Sequence, residues 1–157
     1  MANQSYRLAA QDDLPQIIEL LTRARLPLAG VVEHLKDFLL VFRDGSLAGC
    51  AAVERHGSTA LLRSVAVAEQ ERNTGLGQVM VSQMLERIRA EGMESVVLLT
   101  TTAADFFRRF GFRVINRDDA PAAVQESVEF QGACPASATV MHMDIRAREL
   151  PVTGREQ

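Results

Sequence analysis

Cysteine is scarce in this chain. Cys50 and Cys134 stand alone, far apart, which excludes a disulfide framework and any paired zinc spacing. Cys50 lies in an apolar stretch and reads as a small core residue. Cys134 precedes Pro135 and reads as a loop residue, with an exposed thiol or a soft metalloid contact as the alternative. Long hydrophobic runs are missing too: none approaches the roughly 20 residues that span a bilayer. The opening MANQSYRLAAQDD has no apolar core of a signal peptide, so the cytoplasm is the expected location. Positive charge is not in excess. Seventeen Lys and Arg against twenty Asp and Glu give a net charge of −3, so no basic field recruits nucleic acid or an anionic membrane. There is no Gly-x-Gly-x-x-Gly and no Gly-Lys-Ser/Thr ending of a nucleotide P-loop, so neither chemistry is indicated. What remains is 47% apolar and 24% charged over 157 residues, the make-up of a soluble domain with one core. We expect a single domain over residues 1–146 and a frayed polar tail over 147–157.

The richest stretch runs from Leu61 to Gly77, LLRSVAVAEQERNTGLG. It reads as a buried strand, a polar turn and the glycine-spaced start of a helix. The first N–H groups of a helix have no partner inside it, and its dipole favours negative charge. Gly75 and Gly77 remove Cβ atoms that would keep an anion from the backbone. A phosphate-bearing ligand is therefore expected here. The alternative is that the glycines only let helix and strand pack closely.

Around this stretch the pattern predicts β-α-α-β-β-β-α-β-α-β-(α)-β. A short first strand spans 5–10. Asp12 or Asp13 caps a helix with Pro15 in its first turn, ending near Arg25. A loop and a short second helix fill LPLAGVVEHLKDF. Phe38–Arg43, Leu47–Glu54 and Thr59–Val67 form a meander turning at Asp44-Gly45 and Gly57-Ser58. Leu76, Met80, Val81, Met84, Leu85 and Ile88 share one face of a helix from Gly75 to about Glu91, closed by Gly92. SVVLLT, Ser95–Thr100, is a strand buried on both faces and parallel to Leu61–Val67. Thr102 to Asp105 suggests a capping box for the short helix ADFFRRF. A strand at 112–116, a helical stretch from Asp118 or Asp119 to about Val128, a loop at 130–137 and a last strand at 138–145 follow. The class is α/β with a mixed sheet.

Arg72-Asn73-Thr74-Gly75-Leu76-Gly77 matches the Arg/Gln-x-x-Gly-x-Gly/Ala acyl-CoA signature, and the chain resembles the GNAT superfamily of N-acetyltransferases. The strand LLRSVAV before it and FRRFGF after it stand where that superfamily has them. LLTTTAADFFRRFGF further resembles the acetyltransferase domain of N-acetylglutamate synthases. Together with GACPASA it looks like the small N-acetyltransferases of arsenic-resistance type. The resemblance implies the GNAT fold: a mixed, mostly antiparallel sheet with a splayed parallel central strand pair and helices on both faces. It implies acetyl-CoA in the opening between strands 61–67 and 95–100, with its pyrophosphate on backbone N–H groups of Arg72, Asn73, Thr74, Gly75, Leu76 and Gly77. The pantetheine would pair with Val65, Ala66 and Val67 at a bulge, and a strand N–H would polarise the thioester carbonyl. Phe107 belongs to the coenzyme set. No metal is implied. The partner is a small-molecule amine, with a homodimer left open.

Direct attack on the thioester needs a neutral amine, hence a base, and the thiolate leaving group takes a proton. Relatives often place a Glu on the central strand and a Tyr before Gly-Phe for these tasks. This chain has Leu61 and Phe107 there. Ser137 matches a Ser used as acid in the glutamate synthases. Glu54, with His56 beside it, is the candidate base. Thr100 and Thr101 are candidates to hold substrate or water. Arg25 and Arg63 are candidates for a substrate carboxylate, Arg63 projecting from the same strand face as Leu61 and Val65. The basic segment of the synthases is replaced by Ala133, Cys134, Pro135 and Ala136, which points away from glutamate itself. The expected function is N-acetylation of a small amino-acid-like amine, glutamate-like or an organoarsenical amino acid. The alternatives are a non-catalytic acyl-CoA sensor and a peptide N-terminal acetyltransferase.

Overall fold

The computed structural model of the chain describes residues 3–146. The tail expected at 147–157 lies outside the described residues. Strand β1, Gln4–Leu8, leads into helix α1, Leu14–Arg23. Asp13 occupies the position before α1, but its side chain makes no capping bond to the helix. Its carboxylate instead accepts from the Ala10 N–H at 2.7 Å and from Arg7 at 2.7 and 2.9 Å. A bidentate guanidinium is the stronger partner. Ile17, Leu20 and Leu21 bury one stripe of α1. The helix closes as a Schellman turn, with the Arg25 N–H on the Thr22 carbonyl and the Leu26 N–H on that of Leu21. Arg25 itself sits at φ +61° where glycine is usual.

The second helix expected within LPLAGVVEHLKDF does not form. The segment consists of turns and one 3₁₀ turn at Leu35–Asp37. Gly30 at φ +84° breaks the helical path, and the β-branched pair Val31-Val32 does not favour restarting it.

Strands β2 (Phe38–Arg43), β3 (Ser46–His56) and β4 (Thr59–Val67) follow as the expected meander. Then come helix α2 (Leu76–Ala90), β5 (Ser95–Thr100), helix α3 (Ala104–Arg108), β6 (Arg113–Ile115) and β7 (Thr139–Asp144). The seven strands form an open mixed sheet in the order β1-β2-β3-β4-β5-β7-β6. The β4–β5 pair is parallel, with Thr59 beside Ser95 and Leu61 beside Val97. The capping box expected at Thr102 is absent. Ala103 precedes α3 without a side-chain cap, and the Thr100 hydroxyl accepts the Ala103 N–H at 2.9 Å, closing the turn two residues early. The helical stretch expected after Asp118 is two 3₁₀ turns, Arg117–Asp119 and Ala122–Glu126, because Pro121 is extended (φ −52°, ψ 140°) between them. The loop expected at 130–137 overlaps a wide helical turn at Glu129–Ala133.

Contacts divide the chain into two compact units. The first comprises the residues up to Glu54 with Leu62–Leu85. One of its clusters gathers Ile17, Leu21, Phe38, Leu40, Cys50 and Ala52, and another Val41, Ala48, Leu76 and Met80. Gly49 is closely packed there. A Cβ on it would lie 2.8 Å from the Met80 sulfur and 3.1 Å from the Ala66 carbonyl oxygen. The second unit comprises Arg55–Leu61 and the described residues from Glu86 on, around Leu61, Val97, Ala120, Val124 and Val140. No helix among the described residues is long and apolar enough to cross a membrane.

Candidate functional site

Strand β4 carries a local distortion. Ser64 stands at φ +58° although it is buried and not glycine. A left-handed residue inside a strand is a bulge, and it resets which side each following residue faces. Arg63 and Val65 were expected on one face by alternation. The bulge sends them to different partners: Arg63 bonds the segment after α1, while Val65 packs with Leu76 and Met80 of α2.

Past the bulge the backbone is orderly. The Cys50 thiol donates to the Ser64 carbonyl at 3.3 Å and accepts from the Ala66 N–H, and the Ala68 N–H donates to the Ala48 carbonyl. Ala66 and Ala68 thus bond toward β3. By alternation the backbone groups of Val65 and Val67 face away from it. Cys50 is sealed in, and burial pushes its thiol up to about 12. Cys134 is buried as well, not the exposed thiol of the alternative reading.

The chain leaves β4 through a 3₁₀ turn, Glu69–Glu71. Arg72, Asn73, Thr74 and Gly75 are exposed, and Gly77 is half-buried. Asn73 and Gly75 both take left-handed backbone, φ +66° and +86°. Space beside Gly75 is open, so conformation rather than crowding demands the glycine there. Leu76, 3% exposed, anchors the first turn of α2, whose first helical bond runs from the Val79 N–H to the Gly75 carbonyl. The preceding N–H groups at this helix start face the exposed loop. The Thr74 hydroxyl bonds the Glu71 carbonyl and Glu71 pairs with Arg43 at 2.9 Å, which braces the loop from behind. A cavity of about 650 Å³ adjoins it, between Gln16, Glu19 and Arg23 of α1, Ser46 and Leu47, and Val67 to Gln70 with Arg72. It includes Val67 and Arg72 of the expected coenzyme set but neither glycine.

A second cluster was only partly expected. Glu54 and Arg63 are buried, their side chains 1% and 0% exposed. Arg63 donates to Glu54 at 2.7 Å, to the Ser64 hydroxyl at 3.1 Å and to the Ala29 carbonyl at 2.6 Å. His34 brings Nε2 to 3.8 Å from Glu54. The expected base and the expected carboxylate receptor are therefore partners of each other. His34 and Ala29 were not singled out from sequence. They lie in an irregular stretch with no periodic link to residues twenty or more positions away. Arg25 is exposed at the end of α1.

The remaining candidates lie in the second unit. Phe107 is buried, edge-on to Phe106 and Phe112 at 5.0 and 5.9 Å between centroids. Thr100 is half-buried and holds the Ala103 N–H; Thr101 is exposed. Ser137 is exposed in a turn before β7. No group of three His, Cys, Asp or Glu residues among those described is arranged to hold a metal.

The chain is similar to known proteins. An uncharacterized N-acetyltransferase of Chlorobaculum tepidum is 32% identical over 95 residues, 60% of this chain and 61% of that protein. An amino-acid acetyltransferase of Mannheimia succiniciproducens is 27% identical over 140 residues, 82% of this chain. The chain spans only 31% of that relative's length. The crystal structure of Neisseria gonorrhoeae N-acetylglutamate synthase with coenzyme A and N-acetyl-glutamate superposes with a TM-score of 0.78 at 22% identity. That match covers 92% of this chain and 35% of the synthase. The acetyltransferase (GNAT) domain family matches residues 34–114, a span that takes in strands β2 to β5, the bulge at Ser64 and the whole Arg72–Gly77 loop. On that match, over half its length, the chain belongs to the GNAT acetyltransferase domain family.

Proposed function

We propose that this protein is an acetyl-CoA-dependent N-acetyltransferase that moves the acetyl group to the amine of a small, amino-acid-like substrate by direct attack. The observation that carries this reading is the bulged strand running into an exposed, left-handed loop at a helix start, Ser64 to Gly77. Membership of the family supports it, as do relatives named for acetylation of amino acids. The residues present fit the coenzyme. First-turn N–H groups at Arg72–Gly77 suit a pyrophosphate, Gly75 leaves open room, and the outward backbone of Val65 and Val67 suits a chain of amides.

In this reading the acceptor nitrogen attacks the thioester carbon, the C–S bond breaks and the sulfur leaves as thiolate. The strand N–H at the bulge stabilises the oxyanion. Glu54 is the route for the amine proton, and Ser137 donates to the departing thiolate. Thr100 and Thr101 orient the acceptor, Phe107 shapes the coenzyme site, and Arg25 serves an acceptor carboxylate, while the buried Arg63 is engaged by Glu54, Ser64 and Ala29. A glutamate-like or organoarsenical amino acid fits these requirements.

A second reading has one observation behind it. Leu61 is fully buried and Phe107 is ring-packed, so neither usual proton-transfer position carries a titratable group. That favours a coenzyme-binding sensor without turnover. Release of free coenzyme A thiol from acetyl-CoA, with a panel of amino acids and an organoarsenical amino acid, separates the two. Turnover with at least one amine supports the transferase. Tight acetyl-CoA binding without turnover of any amine supports the sensor.

A further inference from the structure

Residues 24–37 join α1 to β2 with only short turns of their own. Turn hydrogen bonds shape it locally, and Val31 anchors it in the cluster of α1, β2 and β3 with Leu26 and Leu35 packed alongside. Between those anchors its placement depends on tertiary polar contacts, and two of these lead to one buried ion pair. The Ala29 carbonyl accepts from Arg63 at 2.6 Å, and His34 stands 3.8 Å from the Glu54 carboxylate. Arg63 and Glu54, 2.7 Å apart, sit on β4 and β3 beside the Ser64 bulge. The planar fork of arginine is what allows one side chain to serve Glu54, Ser64 and Ala29 at once. Leu28 and Val32, on the same segment, expose apolar side chains, 43% and 61% accessible.

We propose that Arg63 is a positioning residue for the acceptor. With Glu54 it pins the 26–37 segment in place through Ala29 and His34, and the pinned segment forms one wall of the acceptor site. A guanidinium with no exposed surface and three protein acceptors acts on the acceptor through this segment. Burial makes the pair costly to break from one side, because the remaining charge is left without its counterpart. This inference rests on the acetyltransferase reading for its kinetic part only.

Hydrogen–deuterium exchange of the full chain tests the pin without any turnover. Arg63→Lys keeps a cation for Glu54 but loses the fork. His34→Ala removes the second tether at a partly exposed position and leaves the core intact. In both variants exchange across 26–37 should rise, by about tenfold in Arg63→Lys, while β3 and β4 stay protected and the coenzyme A dissociation constant stays within about twofold. With a turned-over amine, Arg63→Lys should raise the acceptor KM by about tenfold with kcat within about threefold. Unchanged exchange in the segment overturns the proposal, and so does a rise shared equally by β3 and β4. If Arg63→Lys does not fold, the His34→Ala result decides alone: unchanged exchange overturns the pin. A wild-type protein that turns over no amine but shows the exchange pattern would sink the transferase reading and leave the pin standing. A KM unchanged beside a loosened segment would overturn the acceptor role.

Discussion

At the scale of single residues, the charges and thiols that do no chemistry are as informative as those that do. Arg7 holds the Asp13 carboxyl below its usual range, mainly by the direct hydrogen bond. A carboxylate with a depressed folded-state pKa adds stability above its unfolded value, about 4, and loses it as pH falls through the folded value. Asp13→Asn should therefore lower the melting temperature at neutral pH, with the gap to wild type closing as pH drops below about 4 in a thermal-melt series. A gap that stays constant with pH would show the ion pair to be inert. Cys50 gives a second expectation. With its thiol raised to about 12 and no route to solvent, it should stay unlabelled by iodoacetamide in the native protein at pH 8 and label fully in denaturant.

Among the elements, Arg25, Asp44 and Asn73 hold left-handed backbone at turns without being glycine. Arg25 closes α1 where glycine would be easier. Arg25→Gly should raise the melting temperature by about 2 °C, since relief of the strained φ outweighs the added chain entropy. If Arg25 also serves the acceptor, that gain comes with a higher acceptor KM, which steady-state kinetics would show. The β3–α2 contact works the other way. Gly49→Ala must displace the Met80 side chain and press on the Ala66 carbonyl. It should cost about 1–3 kcal/mol, readable as a lower urea midpoint with unchanged slope.

For the molecule as a whole, the legible parts of the sequence were those with local causes. The strand at Thr59–Val67, the helix with its Met80 and Met84 stripe and the continuous SVVLLT strand each declare themselves by period or β-branching. The Arg72–Gly77 loop is legible because its glycines sit at a strand-to-helix junction. The misread parts depend on distant partners. The 26–37 segment has helix-like apolar spacing, yet its shape is set by Gly30 and by Arg63 thirty-four positions from Ala29. The Glu54–Arg63 pair joins two neighbouring strands, and the Ser64 bulge after it takes Val65 off the face that alternation gave it with Arg63. Asp13 was recognised as a residue at a helix start, but its partner Arg7 was not, and the guanidinium won over the helix N–H groups.

In the proposed function the strand, loop and helix from Ser64 to Gly77 cradle the pyrophosphate of coenzyme A. The most direct test is calorimetric titration of coenzyme A into the wild-type protein and into Gly77→Trp, with melting temperatures matched beforehand. Binding to the wild type should be saturable and the variant should lose at least about a hundredfold in affinity, since a bulky side chain on the first turn blocks approach to the backbone donors. Equal affinity for both proteins would contradict it.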